Sequence, residues 1–198
     1  GIITNNTFHA NRAVGGNGGA ASNGQGAGGF ASAGAISATG NPAPSIMNNI
    51  FSGNSATFGA GTSPGDESSS APALAADAGA VSYNLFHANT GAGTETLGTA
   101  SASGNPLFEA APANLRIRLA SPARAAGDAA DAPMNDLDGT VRGTPPSIGA
   151  FEPVRASLFW REAAPGIGLS WWRMEGAAAV GTNYHQVDSA WQIADVGD

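Results

Sequence analysis

The chain has 198 residues, which is enough for one domain and part of a second. Charged residues make up 12% of it, the basic ones are all Arg, and the formal net charge is -7. Basic residues this sparse lack the electrostatic footprint of a nucleic-acid-binding protein, so we expect no nucleic acid partner. Because the chain has no Cys, disulfides and thiolate metal sites are excluded.

The composition also limits the core that this chain can build. It contains 29 Gly and 12 Pro, and its 42% of hydrophobic residues are dominated by Ala. Such a chain is too apolar for plain disorder but poor in large core residues. We predict no membrane span in this fragment, since no run of 18 apolar residues is present. We interpret the chain as a fragment because it begins within a repeat, at Gly1.

The N-terminal part carries a short repeat of the form Asn-x-Phe-x-x-Asn. The copies begin at Asn6, Asn49 and Asn84, so that their starts are 43 and 35 residues apart. Such spacing is typical of a solenoid with a turn of roughly 20 residues, in which turns are skipped or loops inserted between clear copies. The sequence therefore predicts an all-β stack in which each repeat is buried against its neighbours.

Short apolar runs beside turn-forming residues predict strands near Ile2–Thr4, Ala35–Ser37, Ser45–Met47 and Ala80–Ser82. We expect the Gly-rich runs between them to form tight corners. A phosphate cradle is disfavoured, because such a loop needs a P-loop Lys or a following helix. We expect residues 59–70 to form a loop that protrudes from the stack.

The repeated Phe and Asn residues have a structural interpretation. Alternation along a strand predicts that the Phe side chains point inward and that the next residue faces solvent, which places His9 and His87 outside. We expect these histidines about three turns, or about 15 Å, apart, which is too far for a shared zinc ion. The final Asn of each copy falls where the strand turns, and equivalent amides can stack as a ladder. The predicted structural repeat residues are Phe8, Asn11, Phe51, Asn54, Phe86 and Asn89.

These Phe-x-x-Asn units, beside Gly-Gly-Ala segments such as the one at Gly18, resemble the repeats of bacterial polymorphic outer-membrane proteins and related pectin-lyase-like proteins. The resemblance implies a right-handed parallel β-helix. It also implies an extracellular or cell-surface location.

A second resemblance covers residues 104–152, which we call the closing segment. It rests on the motifs Asn-Pro-Leu-Phe, Leu-Arg-Ile-Arg-Leu, Ser-Pro-Ala, Asp-Leu-Asp-Gly and Ile-Gly-Ala-Phe-Glu. Their order is similar to the C-terminal end of bacterial surface β-helix proteins of the choice-of-anchor type. The chain departs from that pattern at Arg124, Ala125 and Ser147, which removes two carboxylates that the family usually has.

Within the closing segment, Asp136 and Asp138 are spaced so that both can face one side. They are candidate ligands for an oxygen-preferring cation such as calcium, or paired carboxylates for sugar chemistry. The alternative, which we favour, is a turn before Gly139 with Arg142 as a local partner. A calcium loop usually needs about five or more oxygen ligands.

The tail, residues 154–198, is aromatic and resembles one FG-GAP-like propeller repeat, with the motifs Leu-Phe-Trp-Arg, Trp-Arg-Met-Glu-Gly, Trp-Gln-Ile and Gly-Asp. Such repeats continue into a calcium loop, but this chain ends at Asp198, so no calcium site is assigned to the tail. Trp171 and Trp172 also suggest a carbohydrate platform, although alternation turns them to opposite faces. We predict a domain boundary between residues 1–153 and 154–198, with a short antiparallel β segment after it.

The resemblances imply a non-catalytic structural or adhesive module of a secreted or cell-surface bacterial protein. Its expected partners are carbohydrates or components of the host or cell surface, and we assign it no catalytic residue and no cofactor. One alternative is a carbohydrate-active β-helix enzyme, a polysaccharide lyase or hydrolase, whose active site lies mostly outside this fragment. Another alternative is a calcium-binding scaffold.

Overall fold

The computed structural model of the chain divides into two compact units, Gly1–Pro153 and Val154–Asp198. The structure describes residues 1–21, 24–38, 40, 42–61, 71–77, 81–153, 157–161, 168–175 and 178–186. These residues form strands, turns and loops without a helix, which confirms the prediction of an all-β chain. No helix in the described ranges is long and apolar enough to cross a membrane. Most of the predicted loop 59–70 lies outside the described residues.

The first unit is built from short strands. In chain order they are β1 Ile2–Thr4, β2 Thr7–His9, β3 Arg12–Val14, β4 Ala20–Ala21, β5 Gly24–Gln25, β6 Ile36–Ala38, β7 Ser45–Met47, β8 Ile50–Ser52, β9 Ser55–Thr57, β10 Leu74–Ala76, β11 Val81–Ser82, β12 Leu85–His87, β13 Ala102–Ser103, β14 Phe108–Ala110 and β15 Asn114–Ile117. Strands β1, β6, β7 and β11 coincide with the predicted strands to within one residue at each end.

Most of these strands pair in parallel sheets. The first sheet has the order β1-β7-β11, the second β13-β12-β8-β2, the third β3-β9 and the fourth β10-β6. In the first three sheets, neighbouring strands come from successive segments of the chain. We call these segments layers: layer 1 is residues 2–14, layer 2 is 45–57, layer 3 is 81–90 and layer 4 is 99–103. The register pairs Phe8 with Phe51 and Phe51 with Phe86.

The three Asn-x-Phe-x-x-Asn units lie in directly adjacent layers. Strand β8 pairs with β2 on one edge and with β12 on the other, so no turn is skipped between them. The long and unequal offsets of the repeat therefore arise from insertions between layers, which was one of the two predicted explanations. The expected separation of three turns between His9 and His87 is wrong, since they are two strand spacings, or about 10 Å, apart.

Layers 1, 2 and 3 each turn sharply at the same two positions. Between the first and second sheets, Asn5, Asn48 and Tyr83 have φ of 54°, 56° and 52°. Between the second and third sheets, Ala10, Gly53 and Ala88 have φ of 55°, 66° and 50°. The left-handed residue thus precedes each repeat Asn, so the Asn lies beside the turn without itself taking the left-handed conformation. The Asn side chain is instead used between layers, as described below.

The stacked strands bury residues on both of their faces. The inner face holds a core of Ile46, Phe51, Leu74, Val81 and Phe86. On the outer face, alternate residues form a second core. Its members are Ile50 and Leu85 from the strands and Ile117, Ala123 and Ile148 from the closing segment. The closing segment therefore lies along the outer face of the second sheet.

This cover overturns the expectation that the residue after each Phe faces solvent. Ser52 is 4% exposed, and His9 and His87 are half-buried. They lie on the same face as Ile50 and Leu85, since residues two apart on a strand share a face. Sequence alternation correctly separates the two faces of the strand but does not show that the outer face has a cover of its own.

The Gly-rich segments form close backbone contacts with one another as well as turns. Gly29 donates to the carbonyl of Gly16 at 2.7 Å, and Gly59 donates to the carbonyl of Gly29 at 2.9 Å. The backbones approach so closely that a Cβ at Gly15 would overlap the Gly29 carbonyl, and one at Gly59 would overlap the Gly16 carbonyl. Three Gly-rich segments are thus packed backbone against backbone, which no residue with a side chain allows at these positions.

The second unit contains three strands, β16 Ser157–Arg161, β17 Gly168–Glu175 and β18 Ala178–Gln186. They form an antiparallel sheet in the order β16-β17-β18. The register pairs Trp171 with Asn183 and Trp172 with Thr182. The later motifs of the propeller-like resemblance, Trp-Gln-Ile and Gly-Asp, lie outside the described residues.

Candidate functional site

The three repeat phenylalanines form one continuous stack. The ring of Phe51 lies 5.1 Å from that of Phe8 and 5.1 Å from that of Phe86, with an interplanar angle of 10° in both pairs. Phe51 is fully buried and Phe86 is 5% exposed, whereas Phe8 is half-buried. The sequence predicts that all three side chains point inward. Phe8 differs because β2 pairs with a single strand among the described residues.

The final Asn of each repeat joins neighbouring layers through its side chain. Asn54 Oδ1 accepts hydrogen bonds from the backbone N–H and from Nδ2 of Asn11, at 3.0 and 2.9 Å. Asn89 Oδ1 accepts the same pair from Asn54, at 2.9 and 3.0 Å. Nδ2 of Asn54 also donates to the carbonyl of Phe8 at 3.0 Å. We call this column the third-sheet ladder, and it satisfies polar groups that are buried at the turn.

A second ladder involves the first Asn of each repeat, to which we assigned no role from the sequence. The backbone N–H of Asn6 donates to Asn49 Oδ1 at 2.9 Å, and that of Asn49 donates to Asn84 Oδ1 at 2.8 Å. In layer 4 the position is taken by Ser101, whose Oγ accepts from the N–H of Asn84 at 2.9 Å. The sequence repeat could have indicated this role, because the first Asn of each copy recurs as regularly as the final Asn.

The candidate metal ligands Asp136 and Asp138 are both occupied by protein donors. Asp136, 8% exposed, accepts from the backbone N–H groups of Asp138 and Thr140 at 2.9 and 2.8 Å and from that of Glu152 at 2.8 Å. Asp138 receives two hydrogen bonds of 2.7 Å from the guanidinium of Arg116. Asp136 thus stabilises the turn before Gly139, and Asp138 forms an ion pair with Arg116 of β15.

The expected local pairing with Arg142 is wrong. The Arg142 guanidinium is almost completely buried and lies 3.3 Å from the carboxylate of Glu152, while its Nη2 donates to the carbonyl of Gly149 at 3.0 Å. Glu152 also accepts from the backbone N–H and Oγ of Ser147, both at 2.7 Å. Ser147, one of the departures from the family pattern, therefore helps to hold this buried pair. Among the described residues, no group of three or more His, Asp or Glu is placed to hold a metal ion.

The histidines of the outer face flank a serine. Ser52 pairs in register with His9 on one side and with His87 on the other, and its Oγ lies 3.4 Å from His87 Nδ1. The His9 ring packs edge-on against Phe108, with centroids 5.4 Å apart. A serine beside a histidine is typical of nucleophilic catalysis. Here the serine is 4% exposed beneath the closing segment, so a substrate carbonyl has no approach to its hydroxyl.

Glu95 is a carboxylate that holds the backbone at the start of β10. Its oxygens accept hydrogen bonds from the backbone N–H groups of Leu74 at 2.7 Å and of Ala73 at 3.1 Å. Burial raises the pKa of Glu95, and the hydrogen bonds from Leu74 and Ala73 oppose this shift without cancelling it. The charged form of Glu95 is therefore less favourable in the folded protein than in the unfolded chain.

The reactive side chains considered above all have partners within the described residues of the first unit. Asp136, Glu95 and Glu152 accept hydrogen bonds from backbone N–H groups. Ser52 and Asp138 contact the side chains of His87 and Arg116. Comparison of the chain with protein-family models, with curated proteins and with solved structures gives no match.

Proposed function

We propose that residues 1–153 are part of a right-handed parallel β-helix that serves as a non-catalytic structural or adhesive module of a secreted or cell-surface bacterial protein. The proposal is supported by layers stacked in parallel register, by the two Asn ladders and by the Phe stack. It also follows the resemblance to polymorphic outer-membrane proteins and to choice-of-anchor proteins. The proposed partners are carbohydrates or components of the host or cell surface.

The observation that carries this proposal is that the candidate acidic side chains are bonded to other groups of the protein. The carboxylates of Asp136 and Asp138 face backbone N–H groups and Arg116. A lyase, hydrolase or calcium scaffold that used this pair would first have to break these bonds. A displayed module requires a rigid stack with long lateral surfaces, and side chains that hold backbone in place provide that rigidity.

The proposal is tested by incubating the protein with acidic and neutral polysaccharides, with and without calcium, and by measuring binding and cleavage in parallel. We expect binding to immobilised polysaccharide or to cell-surface material, without release of unsaturated or reducing ends. Cleavage that is lost in the double variant Asp136→Asn, Asp138→Asn would overturn the proposal in favour of an enzyme. Arg124→Gln is a matched control, because it changes a charged residue of the same segment outside the pair.

A further inference from the structure

Strand β10 pairs with β6 along one edge, and its other edge faces residues 91–98. The pairing with β6 uses the carbonyl of Ala73, which accepts from the N–H of Ile36 at 2.9 Å. In a parallel ladder, the backbone groups of alternate residues point to opposite neighbours. The N–H and carbonyl groups of Leu74 and Ala76 therefore point away from β6.

Glu95 and Thr96, which we call the edge guard, meet all four of these groups. The N–H of Leu74 donates to Glu95 Oε1 at 2.7 Å, and its carbonyl accepts from the N–H of Thr96 at 3.0 Å. The N–H of Ala76 donates to Thr96 Oγ1 at 3.3 Å, and this hydroxyl donates to the carbonyl of Ala76 at 3.2 Å. In a regular parallel strand, backbone carbonyls would accept from Leu74 and Ala76. Here a carboxylate and a hydroxyl take their place.

This use of side chains satisfies β10 without adding a regular strand to it. A backbone strand beside β10 would present N–H and carbonyl groups of its own to a further strand, because its alternate residues point outward. Leu74 is fully buried, so its N–H is costly to leave without a partner. The guard segment is also held apart from these contacts, since the N–H of Thr99 donates to the carbonyl of Val81 at 3.0 Å.

We propose that the edge guard prevents β10 from pairing with β10 of a second copy of this chain. Unpaired strand edges can pair with other chains, and proteins block such edges with charged side chains and irregular segments. Without the guard, the same groups of Leu74 and Ala76 lack partners on both copies, which makes the edge self-complementary. The inference concerns self-association and goes beyond the proposed carbohydrate or cell-surface partners.

The test is to compare the wild-type chain with the double variant Glu95→Ala, Thr96→Val by analytical ultracentrifugation over a range of concentrations. The dimer dissociation constant of the double variant should be at least about tenfold lower than that of the wild-type chain, as expected for one or more net hydrogen bonds between copies. Glu95→Gln keeps an acceptor oxygen for Leu74 and should behave like the wild-type chain. Thr94→Val is the matched control, since Thr94 is exposed in the same segment.

Two further measurements separate strand pairing from association that follows unfolding. Phe8→Ala weakens the core without changing the edge guard, so it shows how much association follows from lost stability alone. Because the chain has no Cys, a spin label can be attached through Asp77→Cys beside the end of β10, or through Met134→Cys in the closing segment as a control. Electron paramagnetic resonance of the double variant should show coupling between copies at position 77 and not at position 134. If the double variant does not fold, Thr96→Val alone tests the same edge.

Three results would overturn this inference. They are a double variant that associates no more than the wild-type chain, one that associates no more than Phe8→Ala at urea concentrations that unfold equal fractions of each, and equal coupling at positions 77 and 134. A wild-type chain that already forms dimers through β10 would also overturn it, because the guard would then not prevent pairing. The polysaccharide assay measures a different property, so a failure of this inference is distinguishable from a failure of the proposed function.

Discussion

Asn48 and Asp128 exchange two hydrogen bonds and so join the stacked layers to the closing segment. Nδ2 of Asn48 donates to the carbonyl of Asp128 at 2.7 Å, and the N–H of Asp128 donates to Asn48 Oδ1 at 2.8 Å. Asn48 is fully buried, and its φ of 56° lies in the left-handed region. One side chain thus satisfies both backbone groups of a residue 80 positions later in the chain.

Replacement of Asn48 by Ala should destabilise the first unit by about 2 to 4 kcal/mol. The change leaves two partly buried backbone groups of Asp128 unpaired, and Ala tolerates the left-handed region less well than Asn. Urea unfolding followed by circular dichroism measures the loss. Asn135→Ala is the control, because Asn135 is exposed. An equal loss in both variants would show that the pairing of Asn48 with Asp128 does not hold the closing segment.

Replacement of Phe51 by Ala should cost about 3 to 5 kcal/mol, because the ring is enclosed by Phe8 and Phe86 and leaves a cavity when it is removed. Phe8→Ala should cost less, since Phe8 is half-buried and Phe51 is fully buried. Denaturant unfolding of the two variants gives the comparison. A loss below about 1 kcal/mol for Phe51→Ala would contradict the assignment of this ring to the core.

The close approach of the Gly-rich segments predicts that Ala substitutions at two glycines close in space differ strongly in their effect on stability. Gly59→Ala should destabilise the protein by about 2 kcal/mol or more, because its Cβ would overlap the carbonyl of Gly16. Gly16→Ala is the matched control, since a Cβ there meets no atom within 4 Å. Thermal unfolding of the two variants measures the contrast. Equal midpoints would mean that these backbones are further apart than the structure places them.

Glu95 predicts a specific dependence of stability on pH. Because burial raises its pKa above the ordinary value of 4.5, the folded protein holds this proton more tightly than the unfolded chain does. The resulting stabilisation is fully present below the unfolded pKa and is lost as pH rises through the folded pKa. Relative to Glu95→Gln, the wild-type chain should therefore lose stability as the pH is raised from about 4 to 7.

The matched control for this prediction is Glu109→Gln, which neutralises an exposed carboxylate on β14. Urea unfolding at several pH values measures the difference between each variant and the wild-type chain. If the wild-type chain instead gains stability relative to Glu95→Gln as the pH rises, the hydrogen bonds from Leu74 and Ala73 lower the pKa of Glu95 by more than burial raises it.

The two aspartates of the closing segment should differ in their contribution to stability. Asp136→Asn should cost about 2 kcal/mol or more, because an amide nitrogen replaces an oxygen of a buried side chain that accepts from partly buried backbone N–H groups. Asp138→Asn should cost less than Asp136→Asn, since the pair of Asp138 with Arg116 is partly exposed. Thermal unfolding with and without millimolar calcium should give the same midpoint for the wild-type chain. A midpoint raised by calcium, and no longer raised in Asp136→Asn, would restore the calcium scaffold.

The sequence by itself determines the local pattern of this protein. Period-two alternation places Phe51 inward and Ile50 outward, and the recurrence of Asn54 marks a turn, because both features depend on residues a few positions apart. Strands such as Ile2–Thr4 and Ser45–Met47 are also predictable from their β-branched and apolar residues and the turn formers beside them.

Only the tertiary structure decides which distant parts of the chain meet. Ala150 donates to the hydroxyl of Thr7 across 143 residues, and the closing segment covers Ile50 and Leu85 as a second core. Arg116, 22 positions away, is the partner of Asp138, although Arg142 lies much closer in sequence. The physical reason is that a stack has two apolar faces on each strand, and alternation does not show which segment covers the outer one. The cover, and with it the burial of Ser52, follows from long-range packing that no local spacing encodes.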